Sequence, residues 1–227
     1  MNGRLLTVAS LIRPGSRAAD IGTDHALLPV YLVRNGICPF VVASDIREGP
    51  LQMAARNVSR TGLTEQITLI RTDGLRGIEL FQPDDIVIAG MGGETVARIL
   101  NEAAWIKDTR IRLLLQPMTK PELLREYLCR NGFAILRERA VRDRGHLYAV
   151  MAAAYTGGVC HEPELFFYIG RLTENAGPEE RAYGRSVADR LRKKLDGLKK
   201  SKDQIDPHDE ERLETLIRQI EALIQKQ

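Results

Sequence analysis

Four short turns along the chain carry residues whose types and spacing suit the binding of a small ligand. The first reads Asp20-Ile21-Gly22-Thr23-Asp24-His25. It sets two carboxylates and an imidazole around a glycine, whose missing Cβ lets backbone approach a ligand closely. The turn is not a G-x-G-x-x-G dinucleotide signature, and it lacks the lysine of a nucleoside-triphosphate loop. An acidic turn repels phosphates and suits a cationic group. The second turn ends in Ala43-Ser44-Asp45, where a carboxylate can accept from a pair of ribose hydroxyls. The third, Thr72-Asp73-Gly74, offers a carboxylate or its neighbouring backbone to an adenine amino group. The fourth, Ala89-Gly90-Met91-Gly92-Gly93, is almost bare of side chains, so a planar group can lie against its backbone. An aspartate after a strand is often only a helix cap, and a glycine-rich turn often only tight packing. Four such signals on four successive strand ends make the stronger case for a site.

Those turns need elements to position them. Residues 18–21, 40–44, 67–70, 86–89 and 112–116 are short apolar runs bounded by Gly, Pro, Asp or Thr, and they predict strands. Residues 26–35, 49–61, 94–102 and 121–131 predict the helices between them. This alternation means βαβ units and a parallel sheet covered on both faces. Two further runs, 133–141 and 146–155, flank the polar loop Arg142-Asp143-Arg144-Gly145 and predict a hairpin. The expected fold is α/β: a doubly wound, seven-stranded, Rossmann-like sheet with an antiparallel edge. In such sheets ligands sit beyond the carboxyl ends of the strands, near the switch point. Thr156-Gly157-Gly158 marks the expected boundary between a domain at 1–158 and a helical one at 159–227. There Val187, Leu191, Leu195 and Leu198 form one helix face, and Leu213, Leu216, Ile217, Ile220, Leu223 and Ile224 a second. Asp206-Pro207-His208-Asp209 breaks the pattern between them, predicting an antiparallel coiled-coil hairpin.

Composition narrows the class further. Of 227 residues, 44% are hydrophobic and 28% charged, which excludes a largely disordered chain. No apolar run approaches the ~20 residues of a membrane span, and residues 1–10 show no apolar signal region. Cys38, Cys129 and Cys160 form no C-x-x-C pair. They read as small buried hydrophobes of a reducing, cytoplasmic compartment, and no metal site is expected. The net charge is only +3, yet residues 179–202 hold nine Lys/Arg against four Asp/Glu, and residues 203–227 hold three against seven. The basic stretch fits a polyanion partner; an ion-paired helical hairpin fits it equally well.

The first turn's charge suits S-adenosylmethionine, a ligand with a sulfonium and an amino group. Residues 20–29 (DIGTDHALLP), 89–93 (AGMGG) and Leu115-Gln116-Pro117 resemble the bacterial tRNA (adenine-22-N1)-methyltransferase family. Glu48-Gly49-Pro50, Asp73-Gly74-Leu75 and Tyr148 extend the likeness, which covers about residues 4–155. Thr23, Leu27, Asp45 and Met118 depart from the Ser, Tyr, Glu and Asn usual in that family. The resemblance implies a class I methyltransferase domain, S-adenosylmethionine as donor, and transfer to N1 of an adenine in the tRNA D-arm region.

On that reading Asp20, Gly22, His25, Asp45, Asp73, Gly74, Ala89 and Gly90 are the expected cofactor-binding residues. Adenine N1 is already a nucleophile, so no general base is required, and the site must supply alignment and exclusion of water. Asp24, just beyond the cofactor glycine, is the candidate catalytic carboxylate, its alternative being a cap on the following helix. Met91, Gly92, Gln116 and Pro117 are expected to shape the acceptor pocket. Arg142, Arg144, Lys193 and Lys194 are candidate phosphate contacts to tRNA. A small-molecule or other RNA methyltransferase on the same fold, or a non-catalytic nucleotide-binding module, are the rival readings. Oligomeric state is left open.

Overall fold

Leu113, Leu114 and Leu115 are consecutive, and none of the three reaches solvent. A strand hides every side chain only when both its faces are covered. In the computed structural model, which describes residues 1, 3–173, 177–200 and 206–225, that strand is near the middle of one seven-stranded sheet. The strands are β1 (Arg17–Ile21), β2 (Phe40–Asp45), β3 (Ile67–Arg71), β4 (Asp85–Met91), β5 (Arg112–Pro117), β6 (Phe133–Asp143) and β7 (His146–Tyr155). Their order is β3-β2-β1-β4-β5-β7-β6. The chain reverses its direction of growth between β1 and β4, so the crevice of this doubly wound sheet opens over the ends of those two strands.

Alternation along the strands sorts the helices into two layers. Val87 and Leu114 point to the face covered by α1 (Gly3–Ala9) and α2 (Leu27–Arg34), beside which α3 (Glu48–Thr61) packs through Ala54 and Val58. Ile86, Ile88, Leu113 and Leu115 point to the other, against α4 (Gly93–Asn101) and α5 (Pro121–Arg130). The helices α6 (Glu164–Ile169), α7 (Pro178–Lys200) and α8 (Pro207–Gln225) join this second layer. The expected elements are present with ends shifted by one or two residues, and α1 and α6 lie where no element was anticipated. The hairpin forms the antiparallel edge, with β7 inserted between β5 and β6. The residue types explain why. The β7 run 149–153 is wholly buried, whereas β6 carries Arg137, Arg139 and Arg142, which an edge strand tolerates. The hairpin loop is also shorter than expected. Arg142 and Asp143 belong to β6, Asp143 pairs with His146, and only Arg144 (φ 48) and Gly145 (φ 82) form the turn. Positive φ at both central positions matches the twist of the flanking strands.

The tail is keyed to the sheet by a buried ion pair. Arg125 of α5 donates to Glu138 of β6 at 3.0 Å, and both side chains are 0% exposed. The same guanidinium donates to the carbonyls of Phe167 (2.9 Å) and Tyr168 (3.0 Å) and lies 5.9 Å from the Tyr183 ring of α7. Glu138 also accepts the Arg171 N–H at 2.6 Å. Gly170 (φ 61) fits there because a Cβ would run into Glu138. Val187, Leu191 and Leu195 of α7 pack with Leu213, Leu216, Ile217 and Ile220 of α8, as their spacing indicated. Pro207 is the first residue of α8 rather than part of the break, a place where its missing N–H costs nothing.

One sequence expectation needs correction here. Cys129, near the end of α5, and Cys160, beyond β7, are joined in a disulfide with a Cα–Cα distance of 5.1 Å, and neither is a buried hydrophobe. Their separation of 31 residues matches no spacing motif; the fold alone brings them together. Cys38 is free and buried, as expected. Part of the basic stretch is ion-paired, the second of the two readings its charge allowed. Arg190 pairs with Glu122 of α5, Arg192 with Asp189 and Glu221, and Lys199 with Glu210 and Glu214. Lys202 lies outside the described residues. Among the described residues no helix is long and apolar enough to cross a membrane.

Removing one partner of a buried ion pair strands the other charge, at a cost of about 3–5 kcal/mol. Arg125→Ala should therefore lower the free energy of unfolding by about that amount in a denaturant titration. A loss under about 1 kcal/mol would show that the pair does not hold the tail to the sheet.

Candidate active site

The turn after β1 is shaped by a shared acceptor. The Gly22 and Thr23 N–H groups both donate to the Ser44 carbonyl at the end of β2, each at 2.8 Å. Gly22 takes φ 75, and a Cβ there would collide with the Met91 methyl, so the β1 and β4 turns touch at this point. Asp20 is buried and accepts the Thr23 hydroxyl at 2.7 Å. Burial pushes its pKa up to about 6 against the pull of that hydrogen bond, with the Asp24 charge adding to the rise. His25 (φ 56) and Ala26 (φ 54) then follow in the left-handed region, a conformation costing about 1–2 kcal/mol per non-glycine residue. Asn57 of α3 holds this strained segment by donating to the His25 carbonyl at 3.0 Å. Strain so retained marks a functional turn.

Asp24 is not a cap. The residue preceding α2 is Ala26, and no side chain caps the helix. The Asp24 carboxylate is 79% exposed and stands 3.6 Å from the His25 Nε2. At the end of β2, Asp45 is buried, and its Oδ1 accepts the Arg47 N–H at 2.7 Å. Among the described residues no donor reaches its Oδ2. The Asp45 carbonyl accepts the Thr72 N–H at 3.2 Å, which joins the third turn to the second. Asp73 is partly exposed there, and Gly74 (φ 59) packs on Ile99 with no room for a comfortable Cβ.

The fourth turn begins with a bulge. The β4–β5 register runs Ala89 with Gln116, then Met91 with Pro117, so Gly90 (φ 83) is the extra residue. Its N–H donates to the Gln116 Oε1 at 3.2 Å. Gly92 precedes α4, and at Gly93 a Cβ would strike the Lys120 carbonyl. Gln116 and Pro117 are both buried, so Gln116 supports the pocket from within rather than facing an acceptor. The remaining candidates lie apart. Arg142 faces Glu179 at 3.4 Å, Arg144 is at the exposed hairpin tip, and Lys193 and Lys194 are exposed on α7.

Arg4 is the residue that sequence reasoning missed. It donates to the Gln116 Oε1 at 2.8 Å and to Asp143 at 2.7 Å. Its signal was the apolar spacing of Leu5, Val8 and Ala9, a helix face too short to stand out.

Asp20, Gly22, Asp24, His25, Asp45, Asp73, Gly90, Met91 and Gly92 thus gather at one end of the sheet, on the turns around its switch point. A profile described as "Methyltransferase domain" matches residues 1–151. The chain belongs to this methyltransferase family. The tRNA (adenine(22)-N(1))-methyltransferase of Bacillus subtilis is 38% identical over 153 residues, 67% of this chain. That stretch spans 64% of the relative's own length. The crystal structure of the B. subtilis m1A22 tRNA methyltransferase superposes with a TM-score of 0.82 at 28% identity, covering 100% of this chain and 97% of that one. The structure of M. capricolum TrmK in complex with S-adenosyl-homocysteine superposes at 0.79 with 29% identity, covering 98% and 96%.

S-adenosylmethionine fits these residues. The glycine turn leaves backbone open beside Met91, and the half-open Asp45 carboxylate suits a diol. Asp20 supplies negative charge where the cation would lie. The sign of the pH dependence follows. As pH falls through about 6 Asp20 takes up a proton, and the cation loses its counter-charge. Cofactor affinity measured by calorimetry should therefore weaken below pH 6, by up to about tenfold per pH unit. The step should vanish in Asp20→Asn; a step that persists there would assign it to another group.

Proposed function

We propose that this chain transfers a methyl group from S-adenosylmethionine to N1 of an adenine in tRNA, at position 22 in the D-arm region. The observation that carries the reading is the gathering of Asp20, Asp24 and Asp45 with the bare Gly90–Gly92 turn around one crevice. Likeness along nearly the whole chain to the m1A22 enzymes supports the substrate. When bound, S-adenosylmethionine supplies an electrophilic methyl group. Asp45 accepts from the ribose hydroxyls, and the Gly22 backbone and Asp20 hold the charged end. Adenine N1 needs no base; it gains positive charge as it is methylated. Asp24, exposed and unconstrained by any cap, accepts from the exocyclic amine and stabilises that charge. The bare Gly90–Gly92 turn lets the base lie flat once it has left the RNA stack. Modification of tRNA places this work in the cytoplasm.

Backbone charge supplies the hold on RNA. With Arg190, Arg192 and Lys199 engaged in ion pairs, Lys193 and Lys194 are, with Arg185 and Lys200, exposed cations of α7 that fit phosphates.

Three experiments test this. Labelled methyl groups should pass from S-adenosylmethionine into unmodified tRNA and not into small-molecule acceptors. Asp24→Ala should lose ~1.5–3 kcal/mol of transition-state stabilisation, about ten- to a hundredfold in turnover, with its melting temperature unchanged. Full turnover in that variant would remove Asp24 from the mechanism. Reversing Lys193 and Lys194 to Glu should weaken tRNA binding and flatten its salt dependence by about 0.7–0.9 log units per lost contact. An unchanged slope would move the RNA contacts to the arginines of the sheet domain.

A further inference from the structure

Arg4 belongs to α1, yet its guanidinium reaches residues of β5, β6 and β7 that lie more than a hundred positions away. Its Nε donates to Asp143 of β6 at 2.7 Å. Its Nη1 donates to Gln116 of β5 at 2.8 Å and lies 2.9 Å from the Met118 sulfur. Its carbon centre stands 5.1 Å from the ring of Tyr148 of β7, a cation–π contact. The side chain is 17% exposed and its Asp143 partner 10%, so solvent screens this pair little.

Gln116 transmits this anchoring. Its Oε1 takes two donors, Arg4 and the Gly90 N–H, while its Nε2 donates to the Pro117 carbonyl at 2.9 Å. An amide oxygen with two donors cannot flip without leaving both unpaired in a buried place. Gly90 is the extra residue of the bulge, and its N–H is tied to the Gln116 side chain. The shape of the Gly90–Met91–Gly92 turn therefore depends on an arginine that touches neither the turn nor the crevice.

We infer that Arg4 is a positioning residue: through the Gln116 amide it holds the Gly90 bulge, and with it the floor on which the acceptor base is aligned. This rests on the methyl-transfer reading of the same crevice. Alignment errors of about 1 Å cost on the order of a hundredfold in rate, so the effect should fall on turnover. The β1 and β2 turns have their own Ser44 anchor, so turnover should fall more than cofactor affinity. Lysine is no substitute, because one ammonium cannot copy the planar fork that reaches Gln116 and Asp143 together.

The test combines amide NMR of the labelled full chain with kinetics. In Arg4→Ala and Arg4→Lys the Gly90 amide signal should shift as it does in Gln116→Met, while those of Gly22 and Thr23 stay in place. Turnover on tRNA should fall about ten- to a hundredfold, with a clearly smaller loss of cofactor affinity. The double variant Arg4→Ala/Gln116→Met should lose little beyond the worse single one. An unmoved Gly90 amide, or multiplicative losses in the double variant, would overturn the inference. Rescue by lysine would overturn it too. The NMR readout needs no turnover, so a wild-type chain inactive on tRNA would count against the proposed function and not against Arg4.

Discussion

Two neighbouring N–H groups, those of Gly22 and Thr23, share the single carbonyl of Ser44, and the site depends on that bifurcated hold. It folds the β1 turn over the end of β2 and demands positive φ at Gly22. With the turn in place, the Thr23 hydroxyl meets Asp20, and the chain must pass through the strained pair His25 and Ala26 before α2 can begin. The same strand end carries Asp45, one residue beyond the shared carbonyl. A ligand entering the crevice thus finds two carboxylates, Asp20 held by the Thr23 hydroxyl and Asp45 by the Arg47 N–H.

The opposite flank is built on a different principle. The β4 bulge and the β5 end lean on Gln116, Arg4 and Asp143, a polar cluster covered by α1. Behind them the edge of the sheet is held by Arg125 and Glu138, whose buried charges also secure the start of the tail through Phe167, Tyr168 and Arg171. Buried ion pairs add little net stability over apolar packing, but a stranded partner is costly. Their effect is to permit one seating of α6 and α7 on the sheet. Ion pairs within and around the hairpin then use up part of its basic charge, so the cations left for RNA are fewer than composition suggests.

What could be read beforehand followed local rules. The five parallel strands were legible because their apolar runs were short and sharply bounded, and the hairpin because its loop ends in Arg144-Gly145. The carboxylates at 20, 24, 45 and 73 were legible because they end those runs. Features set by tertiary pairing were not. The insertion of β7 beside β5 depends on comparing the burial of two strands, and the Cys129–Cys160 link on a contact 31 residues apart. Arg4 stood in a seven-residue helix whose period is too short to register, and its partners lie more than a hundred residues away. The ion pairing of Arg190 with Glu122 required knowing that α7 packs against α5.

The proposed methyl transfer goes to one nitrogen of one base, on an edge used in Watson–Crick pairing. Primer extension on an unmodified tRNA transcript incubated with the chain and S-adenosylmethionine measures this directly, because a methyl on N1 blocks pairing in the copying strand. The account predicts a stop at adenine 22 that is lost when that base is replaced by guanine. A stop elsewhere, or incorporated methyl label with no stop, would contradict it.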